Sequence, residues 1–128
     1  YTKQKRKYDA AEQLAAFPDM QTVATVEPIP FRAISSTEMG VPEWLELVRI
    51  ISELDARNCF DGIVVTHGTA TLEETAYFLN LTVKTDLPVV MVGAQRPASA
   101  LSTDAGMNLV NAARVAGSAE ARGLGVRV

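Results

Sequence analysis

The sequence predicts an α/β domain with a doubly wound, mainly parallel sheet and helices on both of its faces. Short apolar segments with strand character alternate along the chain with longer segments of helical periodicity, which is the pattern of parallel α/β folds. Two of the apolar segments, residues 61–65 and 88–92, are almost continuously hydrophobic, as strands covered on both faces usually are. A polar turn follows each of them.

The N-terminal half is predicted to contain two helices and two short strands. Residues 9–17 form the first helix, which the following proline ends. Residues 22–26 and 31–34 alternate weakly and are each interpreted as a strand. The second helix begins at Pro42, a residue suited to the first helical position, and continues to residue 56. Apolar side chains recur along it at helical spacing: Trp44, Leu47, Val48, Ile51 and Leu54.

The strand at 61–65 leads into a third predicted helix. Thr71 is expected to cap this helix, which runs from residue 72 to about residue 83. Glu74 stands three residues after Thr71, at the spacing of a capping box. Hydroxyl groups between the strand and the helix lie where backbone amides and the helix dipole favour negative charge, which suits a carboxylate or an oxyanion.

The strand at 88–92 is followed by a loop at 93–103 and then by a fourth predicted helix. Asp104 is expected to cap this helix, which continues to residue 115. Its exposed face is expected to carry three polar side chains: Asn108, Asn111 and Arg114. Residues 123–128 begin one more strand. Met91 and Met107 are both predicted to lie in the core.

Composition places the chain among ordinary globular proteins. Its 128 residues suffice for one domain with a core, and 48% are hydrophobic and 21% charged. No apolar run approaches the roughly 20 residues of a membrane span, so we expect no membrane partner. Cys59 is the only cysteine, which excludes an intrachain disulfide and zinc-type spacing; we expect it to be buried as a small hydrophobe.

Charge is unevenly distributed along the chain. Lys3, Lys5, Arg6 and Lys7 carry +4, which leaves −7 for the remaining residues and −3 overall. A nucleic-acid site needs basic residues across a folded face, so we expect no nucleic-acid partner. The chain begins with Tyr1 rather than Met, which indicates a processed, trimmed or incomplete start. The compartment therefore stays open between cytoplasm and periplasm.

Three polar turns are expected at the carboxyl ends of the strands, where open α/β sheets bind their ligands. They are residues 35–38, 66–71 and 93–97, and they offer hydroxyls, free amides and few charges. This chemistry suits a small ligand with a carboxylate and an amide. Local reasoning leaves two readings open for Ser36 and Thr69, a role in the site or a role in the turn alone.

Other catalytic motifs are absent from the sequence. It contains no dinucleotide fingerprint, no phosphate loop and no Gly-x-Ser-x-Gly elbow. His67 is the only histidine, so a metal cluster or a Ser-His-Asp triad would depend on one imidazole. We expect His67 to be a structural hydrogen-bonding group rather than a catalytic one. Arg96 is interpreted as an anchor for its loop.

Three segments resemble the bacterial L-asparaginases and glutaminase-asparaginases, in order and in spacing. Residues 62–81, with Thr66-His67-Gly68-Thr69-Ala70-Thr71 near their start, resemble the second threonine signature of that family. Residues 34–39, with Trp44 soon after, resemble its substrate-binding serine turn. Residues 88–108 resemble the strand and loop that follow.

The resemblance implies an enzyme that hydrolyses L-asparagine, or L-glutamine, to the acid and ammonia. A threonine hydroxyl attacks the amide, ammonia leaves, and water releases the acid. Thr69 is implied as the second catalytic threonine, and Tyr1 as the tyrosine that helps to activate the nucleophile. The implied substrate-binding residues are Ser36, which holds the α-carboxylate, Thr37, Ala70 and the backbone of Ala94. No metal or organic cofactor is implied, and a homotetramer is expected.

The chain also departs from the family pattern. The family's Gly-Gly-Thr-Ile strand with the first catalytic threonine is absent, and its catalytic lysine and smaller C-terminal domain lie downstream of the similar region. We therefore expect residues 1–128 to form one α/β domain that is incomplete relative to the family and inactive alone. Ala70 replaces an aspartate that grips the substrate ammonium, a loss of roughly 2–5 kcal/mol unless another carboxylate such as Glu38 substitutes.

Two alternatives to the enzyme therefore remain. One is a domain that binds small carboxylates without turnover, and the other is an inactive piece of such an enzyme.

Overall fold

A computed structural model describes residues 8–128 of the chain. Within them, three parallel strands form a sheet in the order β1 (Ile63–Thr66), β2 (Val89–Val92) and β3 (Val126–Arg127). In the register, Ile63 pairs with Val89 and Thr66 with Val92.

Four α-helices accompany the sheet: α1 (Ala10–Ala16), α2 (Val41–Ala56), α3 (Leu72–Thr82) and α4 (Ala105–Ala116). Four short 3₁₀ turns lie between these elements: Pro18–Thr22, Ser36–Glu38, Thr69–Thr71 and Ala119–Ala121. The predicted helices and the strands at 61–65 and 88–92 are therefore present, with ends shifted by one or two residues. The last predicted strand is shorter, two residues instead of six.

The helices cover both faces of the sheet, as predicted. On one face, Val89 and Met91 pack against Ile51 of α2 and Leu79 of α3. On the other face, Val90 packs against small side chains of α4, Ala112 and Ala116. Successive residues of β2 thus point to opposite helical layers, which explains the unbroken hydrophobic run of this strand.

Two predicted strands do not form. Residues 22–26 begin at the last residue of the turn Pro18–Thr22, and their apolar side chains, including Val23 and Val26, pack beside Leu109 and Val110 of α4. The weak alternation therefore reflects burial against a helix. Residues 31–34 have no strand partner in the described part of the chain; the amide of Ile34 instead donates to the carbonyl of Arg32 at 3.0 Å, within its own segment.

Two predicted core residues are exposed. Cys59 lies on the surface just before β1, so the expectation of a buried thiol is wrong. Met107 is 65% exposed on α4, whereas Met91 is fully buried in β2 as expected. Met107 occupies the outer face of its helix, two residues before the buried pair Leu109 and Val110. An apolar side chain alone does not specify the inner face.

Candidate functional site at the carboxyl ends of the strands

The turn after β1 carries Thr69. The amide of His67 donates to the carbonyl of Val92 at 2.8 Å, which extends the pairing of β1 and β2 by one residue. Gly68 is extended, and Thr69–Thr71 then form a 3₁₀ turn that enters α3 directly. Thr69 is exposed, and its hydroxyl has no hydrogen-bond partner among the residues that the structure describes. It is therefore available to a ligand at the positive end of α3.

The turn that carries Ser36 lies directly against Gly68. The hydroxyl of Thr71 donates to the carbonyl of Ser36 at 2.6 Å. A methyl group added to Gly68 would lie 2.6 Å from the Ser36 hydroxyl oxygen and 3.0 Å from its Cβ, closer than real side chains approach. Glycine at residue 68 thus allows the two turns to meet, and Ser36 is buried at their contact.

The capping box predicted for α3 is wrong. The Thr71 side chain accepts no bond from the first turn of the helix; its hydroxyl donates to the carbonyl of Ser36. Glu74 is exposed. Thr71 therefore joins the Thr69 turn to the Ser36 turn instead of capping α3.

The turn after β2 lies against the Thr69 turn. A methyl group added to Gly93 would lie 3.0 Å from the His67 carbonyl oxygen and 3.1 Å from Cγ2 of Thr69. Ala94 follows directly and is half-buried. The structure therefore brings Ser36, Thr69 and Ala94 to one rim of the sheet, with Gly68 and Gly93 as the points of close approach.

Asp104 fixes the loop after β2 through hydrogen bonds to the backbone of that loop. Its carboxylate accepts the backbone amides of Arg96 at 2.9 Å and Gln95 at 3.0 Å. These amide donors, Arg96 first, lower the pKa of Asp104 to about 2 because they stabilise the ionised form. The predicted cap is wrong, since the carboxylate makes no capping bond to α4. The carboxylate bonds to the loop amides of Gln95 and Arg96 instead of to the first turn of α4.

Asn108 completes this arrangement. Its side-chain amide donates to the carbonyl of Gly93 and to the Asp104 carboxylate, both at 3.0 Å. Asn108 is therefore half-buried behind the loop and not on an exposed helix face, which corrects the prediction. The guanidinium of Arg96 donates to the carbonyl of Ser102 at 2.8 Å, so Arg96 anchors the loop as predicted.

The remaining candidate residues are less closely connected to Thr69. Thr37 is exposed, and its hydroxyl lies 2.9 Å from that of Ser35, within its own turn. The Glu38 carboxylate accepts the amide of Ser35 at 2.7 Å and so supports the same turn. Ala70 is exposed beside Thr69. Tyr1 lies outside the described residues.

A shallow cleft opens on the Ser36 side of the rim. Ser36, Thr66, His67 and Gly68 line one part of it, and most of the remaining wall is apolar. Arg32 also lines it, but its guanidinium is already paired with Glu43 at 2.9 Å and Glu46 at 2.8 Å. Thr69, Ala70 and Ala94 are not among the lining residues.

Sequence reasoning missed the supporting roles of Asp104, Asn108 and Thr75. The spacing of Asp104 and Asn108 places both on one face of α4, and that spacing was the available signal. Thr75 gave no signal, because its partners lie on other elements of the fold: Trp44 and His67.

Residues 8–128 contain neither a candidate metal site nor a candidate membrane span. No group of three His, Cys, Asp or Glu side chains in this part of the chain could hold a metal ion. None of the helices described there is long and apolar enough to cross a bilayer.

Comparisons with known proteins agree on one family. The model of the N-terminal region of the asparaginases matches residues 1–128. The chain is 50% identical over 115 residues to L-asparaginase 2 of Bacillus subtilis, which covers 90% of the chain and 31% of that protein. It is 46% identical over 127 residues to the glutaminase-asparaginase of Pseudomonas fluorescens, which covers 99% of the chain and 35% of that protein.

The fold agrees with a solved member of the same group. A crystal structure of the probable cytoplasmic L-asparaginase from Campylobacter jejuni superposes with a TM-score of 0.85 at 43% identity, over 92% of this chain and 36% of that one. The chain thus spans about a third of the length of the relatives it matches. These residues belong to the asparaginase family, as its N-terminal region.

Proposed function

We propose that residues 1–128 are part of a longer amidohydrolase that converts L-asparagine, and L-glutamine as a second substrate, to the acid and ammonia. The observation that carries this proposal is the convergence of the Ser36, Thr69 and Ala94 turns on one rim. The names of the relatives, L-asparaginase 2 and glutaminase-asparaginase, support both the reaction and the two amides.

In this mechanism the Ser36 turn binds the α-carboxylate and thereby orients the substrate, with Thr37 beside it. The side-chain amide then lies between Thr69 and the backbone at Ala94. A threonine hydroxyl adds to the amide carbon, ammonia leaves with a proton, and an ester remains. Water hydrolyses the ester to the acid and frees the hydroxyl.

Thr69 supplies one of the hydroxyls of this mechanism. Its exposed position at the start of α3 supports that role, because backbone amides at a helix N-terminus stabilise negative charge developing on the carbonyl oxygen. A threonine hydroxyl needs a base to remove its proton. In the proposal, groups outside residues 8–128 supply this base and complete the site. They include Tyr1 and, in the longer protein, a lysine and a first threonine.

The proposal includes a homotetramer in the full-length protein. Its compartment in the proposal is the cytoplasm or the periplasm, since one relative is named as periplasmic and another as cytoplasmic.

The test is ammonia release by the full-length protein with asparagine and with glutamine. Thr69→Val keeps the side-chain shape without the hydroxyl, and Thr69→Ser keeps the hydroxyl. We expect Thr69→Val to lose activity by roughly 100-fold or more and Thr69→Ser to retain most of it. Release from neither amide, or a Thr69→Val enzyme as active as the unmodified one, would contradict the proposal.

A second candidate function is the binding of small carboxylates without turnover. Ala70 favours it, because the aspartate usual at this position would pair with the substrate ammonium. Calorimetric titration with L-aspartate, together with the ammonia assay, separates the two functions. Binding without ammonia release supports the second candidate, and no heat at millimolar aspartate counts against it.

A further inference from the structure

A chain of side-chain hydrogen bonds runs from α2 through α3 to the turn that carries Thr69. The indole nitrogen of Trp44 lies 2.8 Å from the Thr75 hydroxyl oxygen. The same oxygen lies 3.0 Å from Nε2 of His67, and Nδ1 of His67 lies 2.6 Å from the carbonyl oxygen of Gly68. Thr75 is completely buried, and the Trp44 ring is held by stacking on Phe78 at 5.1 Å.

The two end groups, the indole of Trp44 and the carbonyl of Gly68, fix the direction of every hydrogen bond in this series. An indole N–H can only donate, so Thr75 accepts from Trp44. A carbonyl oxygen can only accept, so Nδ1 of His67 carries a proton and donates to Gly68. The neutral imidazole has one proton, which leaves Nε2 as an acceptor for the hydroxyl proton of Thr75. All the polar groups are then satisfied.

The other protonation states fit less well. An imidazole with its proton on Nε2 would place the Nδ1 lone pair 2.6 Å from the Gly68 oxygen, so two acceptors would face each other. An imidazolium would donate from Nε2 to Thr75, whose buried hydroxyl proton would then lose its acceptor at His67. The contacts therefore select the neutral form with the proton on Nδ1.

We propose that His67 is a positioning residue, held as the neutral Nδ1–H tautomer by the Gly68 carbonyl and the Thr75 hydroxyl, and that it orients Thr69. The Gly68 carbonyl that accepts from His67 belongs to the peptide unit that joins Gly68 to Thr69. Its orientation fixes that peptide plane, and the backbone of His67 is bonded to Val92 of β2 at the same time. The effect on catalysis rests on the proposed function, whereas the tautomer does not.

The tautomer can be measured directly, because His67 is the only histidine of these 128 residues and a His67→Gln variant identifies its imidazole signals in the full-length protein. In the ¹⁵N-labelled protein, a long-range ¹H–¹⁵N correlation spectrum of the imidazole should show a protonated-type Nδ1 and an unprotonated-type Nε2 at neutral pH. Thr75→Ser keeps the hydroxyl donor and should give the same pattern. Thr75→Val removes the donor and should shift the Nε2 resonance or mix the two tautomers.

Trp44→Phe serves as the matched control. It keeps an aromatic ring against Phe78 and removes the indole N–H together with the pyrrole half of the ring, so the Thr75 hydroxyl can still donate to Nε2 and the tautomer should not change. A protonated Nε2, or a mixture of tautomers in the unmodified protein, would overturn the proposal. The unmodified protein and Thr75→Ser decide this point even if Thr75→Val does not fold.

The kinetic arm uses the full-length protein. Because misplacement of a reacting group affects the transition state most, Thr75→Val should lower kcat by roughly tenfold or more and change KM by less than about threefold, with recovery in Thr75→Ser. An unchanged kcat in folded Thr75→Val would overturn the positioning role. Absence of activity in the unmodified enzyme would contradict the proposed function instead, and the spectrum would still decide the tautomer.

Discussion

Replacing Gly68 by alanine tests the contact between the Ser36 and Thr69 turns. The new methyl group would lie 2.6 Å from the Ser36 hydroxyl oxygen and 3.0 Å from its Cβ, so one of the turns must move. The backbone itself tolerates alanine, since Gly68 has φ −73° and ψ 149°. The whole penalty therefore comes from Ser36.

The expected magnitude follows from two opposing effects. Overpacking of a close contact costs about 1–3 kcal/mol. Alanine at a compatible backbone position stabilises the folded state by about 0.4–1 kcal/mol, because it lowers the conformational entropy of the unfolded chain. The difference between these ranges is about 0–2.6 kcal/mol, so Gly68→Ala should lower the free energy of unfolding by about 1.3 kcal/mol at the midpoint, measured by urea denaturation.

A double-mutant cycle isolates the contact with Ser36. Ser36→Gly removes both atoms that the new methyl group would meet, so in this background Gly68→Ala should cost nothing or stabilise the protein by about 0.4–1 kcal/mol. Ser36→Ala removes only the hydroxyl and should give an intermediate result. Equal costs of Gly68→Ala in all three backgrounds, within about 0.5 kcal/mol, would refute the contact.

Three further changes test other parts of the rim. Thr71→Val removes the hydroxyl bond to Ser36 and should cost about 1 kcal/mol of unfolding free energy, more than the control Thr82→Val, whose hydroxyl bond is exposed within its own helix; equal costs would contradict the account. Asp104 has a pKa of about 2 against an ordinary 3.8, so its stabilisation is present above about pH 4 and is lost as the pH falls towards 2; the difference in urea midpoint between the unmodified protein and Asp104→Asn should shrink over this range, and a constant difference would contradict the assignment. Ala70→Asp in the full-length protein should tighten asparagine binding by roughly tenfold or more, because it supplies a partner for the substrate ammonium; unchanged binding would place that ammonium elsewhere.

The sheet and its helices could be predicted because the hydrophobic pattern within each segment indicates which of its faces are buried. The apolar run that became β2 is buried on both faces, the run that became β1 is half-buried, and the spacing of Leu47, Ile51 and Leu54 marks the inner face of α2. Residues 31–34 show the limit of this reasoning. Their alternation is real, but a strand needs a neighbour, and sequence pattern does not report whether one is present.

The positions of the turns in the candidate site could be predicted from the sequence, but the hydrogen bonds between these turns could not. The order of strands and turns placed Thr69 and Ala94 at one rim, since parallel strands end on the same side. Ser36 was expected there after a strand at 31–34 that does not form, and it reaches the rim through its contacts with Thr71 and Gly68 instead. The bonding partners of Thr71 and Asp104 lie on other turns, so local capping rules assigned both side chains to the wrong acceptors or donors. Such choices depend on tertiary contacts.

The most direct test of the account is a crystal structure of the full-length protein with bound L-aspartate, the product of the proposed reaction. We expect the α-carboxylate on the Ser36 turn and the side-chain carboxylate between Thr69 and the backbone of Ala94, in contact with all three turns. Aspartate bound at another place, or in contact with only one of these turns, would contradict the claim that the rim forms a single site.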